Sequence, residues 1–272
     1  MEIILLGGYE DKGQHSPMTY NDKMDDKFID YNDYICGAGE PILLRDNYES
    51  KIYVLPEAGI VEVEAFQIND EIKKLDLSNI DKLPNFNFNL EPICSVLKQC
   101  EELSKKFKVM IKLNGPLTII SELIGLNNLF LLWIKSPNKF YDVLKNITEN
   151  LTLYADECIN SGAAIISYGD AICSQDILGP KHLHDITIKF SYPFLKKIET
   201  LINKRALLHL CPKISSALNY FDLAETKIIK LDKKMNYEEA CLYVNGLETI
   251  AGGRCIEYRD VEVESIKVIN LK

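Results

Sequence analysis

From residue 109 onward the chain alternates short β-rich runs with longer stretches of helical periodicity. VMIKL (109–113) is followed by NGPLTIISELIG, and AIISYGD (164–170) follows a long amphipathic stretch over 137–161. RALLHLC (205–211) comes after a helical pattern over about 181–203. IIKLD (228–232) and LETIAGG (247–253) complete the series, with helical patterns at 213–224 and 236–245 between them. A helix that follows a strand carries the chain back across the sheet, so the next strand runs parallel to the last. The alternation therefore predicts an α/β fold with a mainly parallel sheet. A (β/α)8 TIM-like barrel takes about 250 residues, and the 272 residues here suffice for one.

The first hundred residues are less regular. KIYVLPEAGIVEVEAFQI (51–68) reads as two strands around a Pro-Glu-Ala-Gly turn, and 9–40, rich in Tyr, Asp, Asn and Gly, has no clear period. No linker, repeat or low-complexity tract interrupts the chain. The expectation is one domain over 1–272, a barrel abbreviated or distorted in its N-terminal third (1–108) and built of regular βα units over 109–272.

Composition narrows the function classes. With 47% hydrophobic and 26% charged residues the chain can bury a full core. A formal charge of −9 argues against nucleic-acid and anionic-membrane partners, which require a basic face. The apolar run LFLLWI (129–134) is far too short to span a bilayer, and MEIILLGGYED is too short and too acidic for a signal peptide. Eight cysteines without an export signal point to reduced thiols in the cytoplasm, most of them small core residues.

Barrel active sites are built at the C-terminal ends of the strands. Those ends read Asn114-Gly115-Pro116, Gly169-Asp170, His209-Leu210-Cys211, Asp232 and Gly252-Gly253-Arg254-Cys255. In a strand, residues two apart point the same way, so His209 and Cys211 would aim an imidazole and a thiol into one space. Zinc takes such ligands, and a catalytic zinc keeps three protein ligands with one position open. Cys255, Gly-flanked at another strand end, is the candidate third ligand, and Asp232 a candidate exchangeable fourth. Cys241, among apolar helical neighbours, reads as core, and Cys173 is a weaker rival. The alternative is a hydrogen-bonded strand-end histidine beside a buried thiol. Asp170 admits two readings, a helix N-cap after its strand or a carboxylate that orients ligand or substrate at the mouth. Asn114 is a candidate substrate contact. His182 and His184 share the two-residue spacing but lie where a helix begins, so they diverge and read as surface residues.

NGPLTIISELIGL, SGAAIISYGDAICSQDILGPKHLHDITIKFSYPFLKKI and LLHLCPKISSAL together resemble the uroporphyrinogen decarboxylase-like superfamily. Within it, His-x-Cys followed by a distant Cys is similar to the zinc-dependent methylcorrinoid methyltransferases, which include the enzymes that methylate coenzyme M. The resemblance covers about residues 109–260. It implies a distorted (β/α)8 barrel with its site at the mouth. It further implies a zinc ion held by His209, Cys211 and, by position, Cys255. Its reaction would be attack of a small thiol, as thiolate, on the methyl group of a methylcorrinoid (cobalamin) carried by a partner protein. The chain is shorter than typical members, and its interval from Cys211 to Cys255 is shorter than usual.

Two other readings stand beside that one. A uroporphyrinogen decarboxylase handles a polycarboxylate and should present several arginines. This chain has only Arg45, Arg205, Arg254 and Arg259, and decarboxylation leaves His-x-Cys unexplained. A non-catalytic corrinoid- or metal-binding accessory protein would bind without turnover.

Overall fold

The computed structural model describes residues 3–6, 43–44, 52–53, 80, 93–105, 108–258 and 261–272. The expected turn within 51–68 and the irregular stretch 9–40 lie outside these residues, apart from Ile52–Tyr53.

Among the described residues the main sheet has seven strands. They are β1 (Ile3–Leu6), β4 (Lys108–Asn114), β5 (Ala163–Gly169), β6 (Leu207–Leu210), β7 (Ala224–Asn236), β8 (Ile250–Gly252) and β9 (Glu262–Leu271). β2 (Leu43–Leu44) and β3 (Ile52–Tyr53) form a separate antiparallel pair. The sheet order is β1-β4-β5-β6-β8-β9-β7. The first five of these strands are parallel, as the alternation predicts for β4, β5, β6 and β8, while β1 falls in the part read as irregular. Helices α1 (Ile93–Ser104), α2 (Pro116–Ile124), α3 (Leu126–Lys135), α4 (Pro137–Asn160), α5 (Gln175–Ile186), α6 (Tyr192–Ile202) and α7 (Pro212–Tyr220) connect them, with a π-helical turn at Thr187–Ser191 between α5 and α6. No helix among the described residues is long and apolar enough to cross a membrane.

Strands β4, β5, β6 and β8 are buried on both faces, hence their nearly continuous apolar sequences. On one face Val109, Ile111, Ile166, Leu208 and Leu210 pack with the helices. On the other, Met110, Ile165, Leu207 and Ala251 pack under α8 (Tyr237–Val244), through Tyr237, Ala240, Cys241 and Val244. Cys241 is a fully buried core residue, as expected.

The C-terminal part departs from the expected run of parallel units. IIKLD is the middle of a 13-residue strand, β7, which pairs antiparallel with β9 at the sheet's edge. β9 lies between β7 and β8 and is antiparallel to both. Strand β9 was not foreseen, because SIKVINL follows the glycines of LETIAGG without a helical pattern between them. Exposed charges along β7 (Glu225, Lys227, Lys230, Lys233, Lys234) suit an edge strand.

Two contacts tie the strand ends together. Gly115 N–H donates to the Gly169 carbonyl at 2.7 Å. Pro116 then opens α2 at a position that needs no N–H. Gly115, the N-cap, offers no side chain, and the cap comes from another βα unit. Asp170 accepts from Leu117 N–H and Thr118 N–H, each at 3.0 Å, and from the Thr118 hydroxyl at 2.8 Å. Gly115 leaves room for this carboxylate, since a Cβ there would stand 2.3 Å from Asp170 Cβ.

Gly115→Ala should therefore force α2 away from Asp170 and lower the unfolding free energy by about 1–3 kcal/mol. Urea titration of the purified variant beside wild type measures this, and an unchanged midpoint would contradict the packing described.

Candidate active site

The parallel register carries one polar residue from each of β4, β5 and β6 to the same height. Lys112 on β4 pairs with Ser167 on β5, Ser167 with His209 on β6, and His209 with Ala251 on β8. One layer nearer the strand ends, Asn114 pairs with Gly169. Cys211 follows β6 and donates its N–H to the Tyr168 carbonyl at 2.9 Å. Its side chain lies over Gly169, where an added Cβ would stand 3.2 Å from Cys211 Cβ. His209, Cys211, Asn114 and the loop with Cys255 thus share the C-terminal end of the parallel strands.

His209 is 1% exposed and engaged at both ring nitrogens. Nδ1 lies 2.9 Å from Ser167 Oγ and Nε2 3.0 Å from the Arg254 carbonyl oxygen. A carbonyl can only accept, so Nε2 carries the proton and Nδ1 accepts from the Ser167 hydroxyl. Tyr237, the first residue of α8, meets the imidazole edge-on at 5.7 Å between centroids. The Arg254 guanidinium stands over the Tyr237 ring, 5.8 Å from its centre. Burial pushes the imidazole down to about 4, against a partial rise from the Arg254 hydrogen bond, so the ring is neutral at pH 7.

Cys211 is half-buried and forms the N-cap of α7. Burial raises its thiol pKa. The Lys213 amide hydrogen bond and the ammonium groups of Lys213 and Lys112 oppose that rise, while Cys255 adds to it. Cys255, in the loop whose Arg254 carbonyl meets His209, is itself half-exposed. Three potential donors therefore gather here, yet they are not preassembled. Among the described residues no three His, Cys, Asp or Glu side chains stand close enough together to hold a metal ion. The donor types suit zinc. The His209 ring offers no free lone pair here, since Nε2 carries the proton it donates to the Arg254 carbonyl and Nδ1 accepts from the Ser167 hydroxyl.

Asp232 does not join this cluster, contrary to expectation. It is exposed on β7 and accepts from the Tyr243 hydroxyl at 2.9 Å. Tyr243 lines a cavity of about 460 Å³ with Lys108, the first residue of β4, and Asn245. Asn245 in turn donates to the Ala164 carbonyl near the start of β5, at the far end of the parallel strands. The cause is topological: β7 is the edge strand, separated from β8 by β9, and IIKLD is the middle of β7 rather than its end.

Asp170 follows the capping reading, but on α2 rather than on the helix after its own strand, whose N-cap is Ser174. It is 2% exposed and also accepts from Ile172 N–H at 3.3 Å. Burial raises its carboxyl pKa and these four donors lower it. Both oxygens are thus committed to backbone and Thr118. Cys173, the rival ligand, is buried with its thiol 4.0 Å from Ser191 Oγ. His182 and His184 follow the break at Gly179-Pro180 and pack separately, on Trp133 and Phe221. Ser167, Lys112 and Tyr237 were missed. The signal for the first two was a single polar residue inside each apolar strand.

A neutral buried histidine makes stability depend on pH. The unfolded chain takes up a proton near pH 6.5 and the native site does so only near 4. The unfolded state thus binds more protons in that window, and stability falls as pH drops through it. The loss assignable to His209 is on the order of 3 kcal/mol. Denaturant titrations of chelator-treated protein between pH 7 and 4 should show it, and His209→Asn should flatten the slope.

The family model described as Uroporphyrinogen decarboxylase (URO-D) matches residues 50–253. The chain is 29% identical over 126 residues to the methylcobamide:CoM methyltransferase MtaA of Methanosarcina barkeri, a match covering 46% of this chain and 35% of MtaA. With the methylcobamide:CoM methyltransferase MtbA of Methanosarcina mazei it shares 22% identity over 231 residues, 79% of this chain and 65% of MtbA. The matches thus take in less than two thirds of either relative's length. A solved methyltransferase from Methanosarcina mazei superposes with a TM-score of 0.42 at 19% identity, over 64% of this chain and 47% of that one. The match to the family model covers most of the chain and agrees with the α/β barrel class expected of it: this chain belongs to the uroporphyrinogen decarboxylase (URO-D) family.

Proposed function

We propose that this chain is a zinc-dependent methyltransferase that moves a methyl group from a methylated corrinoid, carried by a partner protein, to a small thiol such as coenzyme M. The observation that carries the reading is the gathering of His209, Cys211 and the Cys255 loop at one end of the parallel strands. Similarity to MtaA and MtbA supports the reaction class. His209, Cys211 and Cys255 would hold the metal. Bound zinc would supply one thing, deprotonation of a coordinating thiol.

The chain's own residues supply the rest. His209 is neutral and adds no charge, so two cysteinates balance a divalent ion and an added thiolate leaves the site near −1, which keeps the sulfur nucleophilic. The α7 N-terminus, with the Lys213 amide on Cys211, stabilises the cysteinate. Lys112 and Lys213 add positive charge beside it. Asp170 acts as a positioning residue, holding α2 against the strand end next to Cys211. Asn114, at the same height as Gly169, would contact the acceptor. In the transfer a sulfur–carbon bond forms and the cobalt–carbon bond breaks. Its electron pair stays on the corrinoid as Co(I), and the acceptor's proton goes to solvent.

Zinc content of the purified chain, beside thiol-dependent demethylation of methylcobalamin, tests the reading. About one zinc per chain is expected in wild type and in Cys241→Ser, with metal and turnover lost in His209→Ala, Cys211→Ser and Cys255→Ser. Wild type that takes up no zinc after reconstitution, or turns over equally without it, would overturn the proposal.

A further inference from the structure

The two partners of His209 come from different sides. Ser167 is its register neighbour on β5, and its hydroxyl lies 2.9 Å from Nδ1 in a buried position. The Arg254 carbonyl comes from the loop that continues into Cys255 and lies 3.0 Å from Nε2. Nε2 therefore faces the thiol-bearing loop, and Nδ1 is enclosed between two strands.

We infer that Ser167 is a positioning residue that selects the ring nitrogen His209 offers to a metal, and that the Arg254 carbonyl holds that nitrogen's place in the metal-free chain. The inference rests on the metal reading above. In the metal-free chain the proton is on Nε2, donated to the carbonyl, and Ser167 donates to Nδ1. For Nε2 to offer its lone pair, the proton must leave it and the ring must take one up at Nδ1, exchanging through solvent with the imidazole neutral before and after. A serine hydroxyl is both donor and acceptor. It can turn from donating to Nδ1 to accepting Nδ1–H without moving the backbone. Alanine provides neither bond. Release of the Arg254 carbonyl also frees the peptide immediately before Cys255. Metal binding and the position of the third ligand are thus coupled through one hydrogen bond.

Imidazole 15N NMR of the full chain, chelator-treated and zinc-saturated, reads the protonated nitrogen directly, with His209→Asn used for assignment. The expected result is Nε2–H without metal and Nδ1–H with it. Zinc titration of Ser167→Ala should still reach one equivalent, but with affinity lower by about 10–100-fold. Ser167→Thr, which keeps the hydroxyl, should remain near wild type. Zinc binding with unaltered affinity in Ser167→Ala, or the same nitrogen protonated in both states of wild type, overturns this inference and leaves the metal reading standing. A wild type that binds no zinc overturns both. If Ser167→Ala fails to fold, the wild-type tautomers alone decide.

Discussion

Parallel pairing across β4, β5, β6 and β8 is the constraint on which the rest of the molecule depends. A parallel ladder with fixed register sets every residue of each strand at a defined height and on a defined face. Here it stacks Met110, Ile165 and Leu207 in one apolar layer. It then sets Lys112, Ser167 and His209 in the layer above. A slip of one residue in β6 would turn His209 into the helix-packed face and Leu208 toward the site. The site is therefore a property of the register before it is a property of any side chain.

The polar layer survives inside an apolar core because its members satisfy one another. A neutral imidazole buried with one nitrogen unpaired would cost about 1–3 kcal/mol. Ser167 and the Arg254 carbonyl remove that cost, and Tyr237 covers the ring from α8. The same satisfaction keeps the ring from acting as a ligand in this state. The imidazole is thus held by two hydrogen bonds at the end of the parallel strands. Only a partner that binds the ring more strongly than a backbone carbonyl does would release it.

Asp170 shows a similar economy at the next layer. One carboxylate caps α2 from a neighbouring unit and braces the strand end beside Cys211. Both its oxygens are taken up by the Leu117, Thr118 and Ile172 donors, which is the capping reading. Gly115 and Gly169 are the complement to this arrangement, since a side chain at either would enter space taken by Asp170 or approach Cys211.

The sequence by itself determined the parallel βα units from residue 109 to 220 and the strand ends near Gly169 and Cys211. Those features depend on local periodicity and two-residue spacing, which are written along the chain. Lys112, Ser167 and His209 were legible singly, as lone polar residues in apolar runs, but not as a layer. Register between strands far apart in sequence is set by packing and not by any local pattern. Tertiary structure alone decided that IIKLD is an antiparallel edge strand, which carries Asp232 away from the cluster, and that SIKVINL separates it from β8. It alone decided that Asp170 caps a helix 53 residues earlier and that Arg254 bonds His209 from 45 residues later. The reason is the same in each case: a hydrogen bond across the sheet joins groups whose separation in sequence carries no signal of their meeting in space.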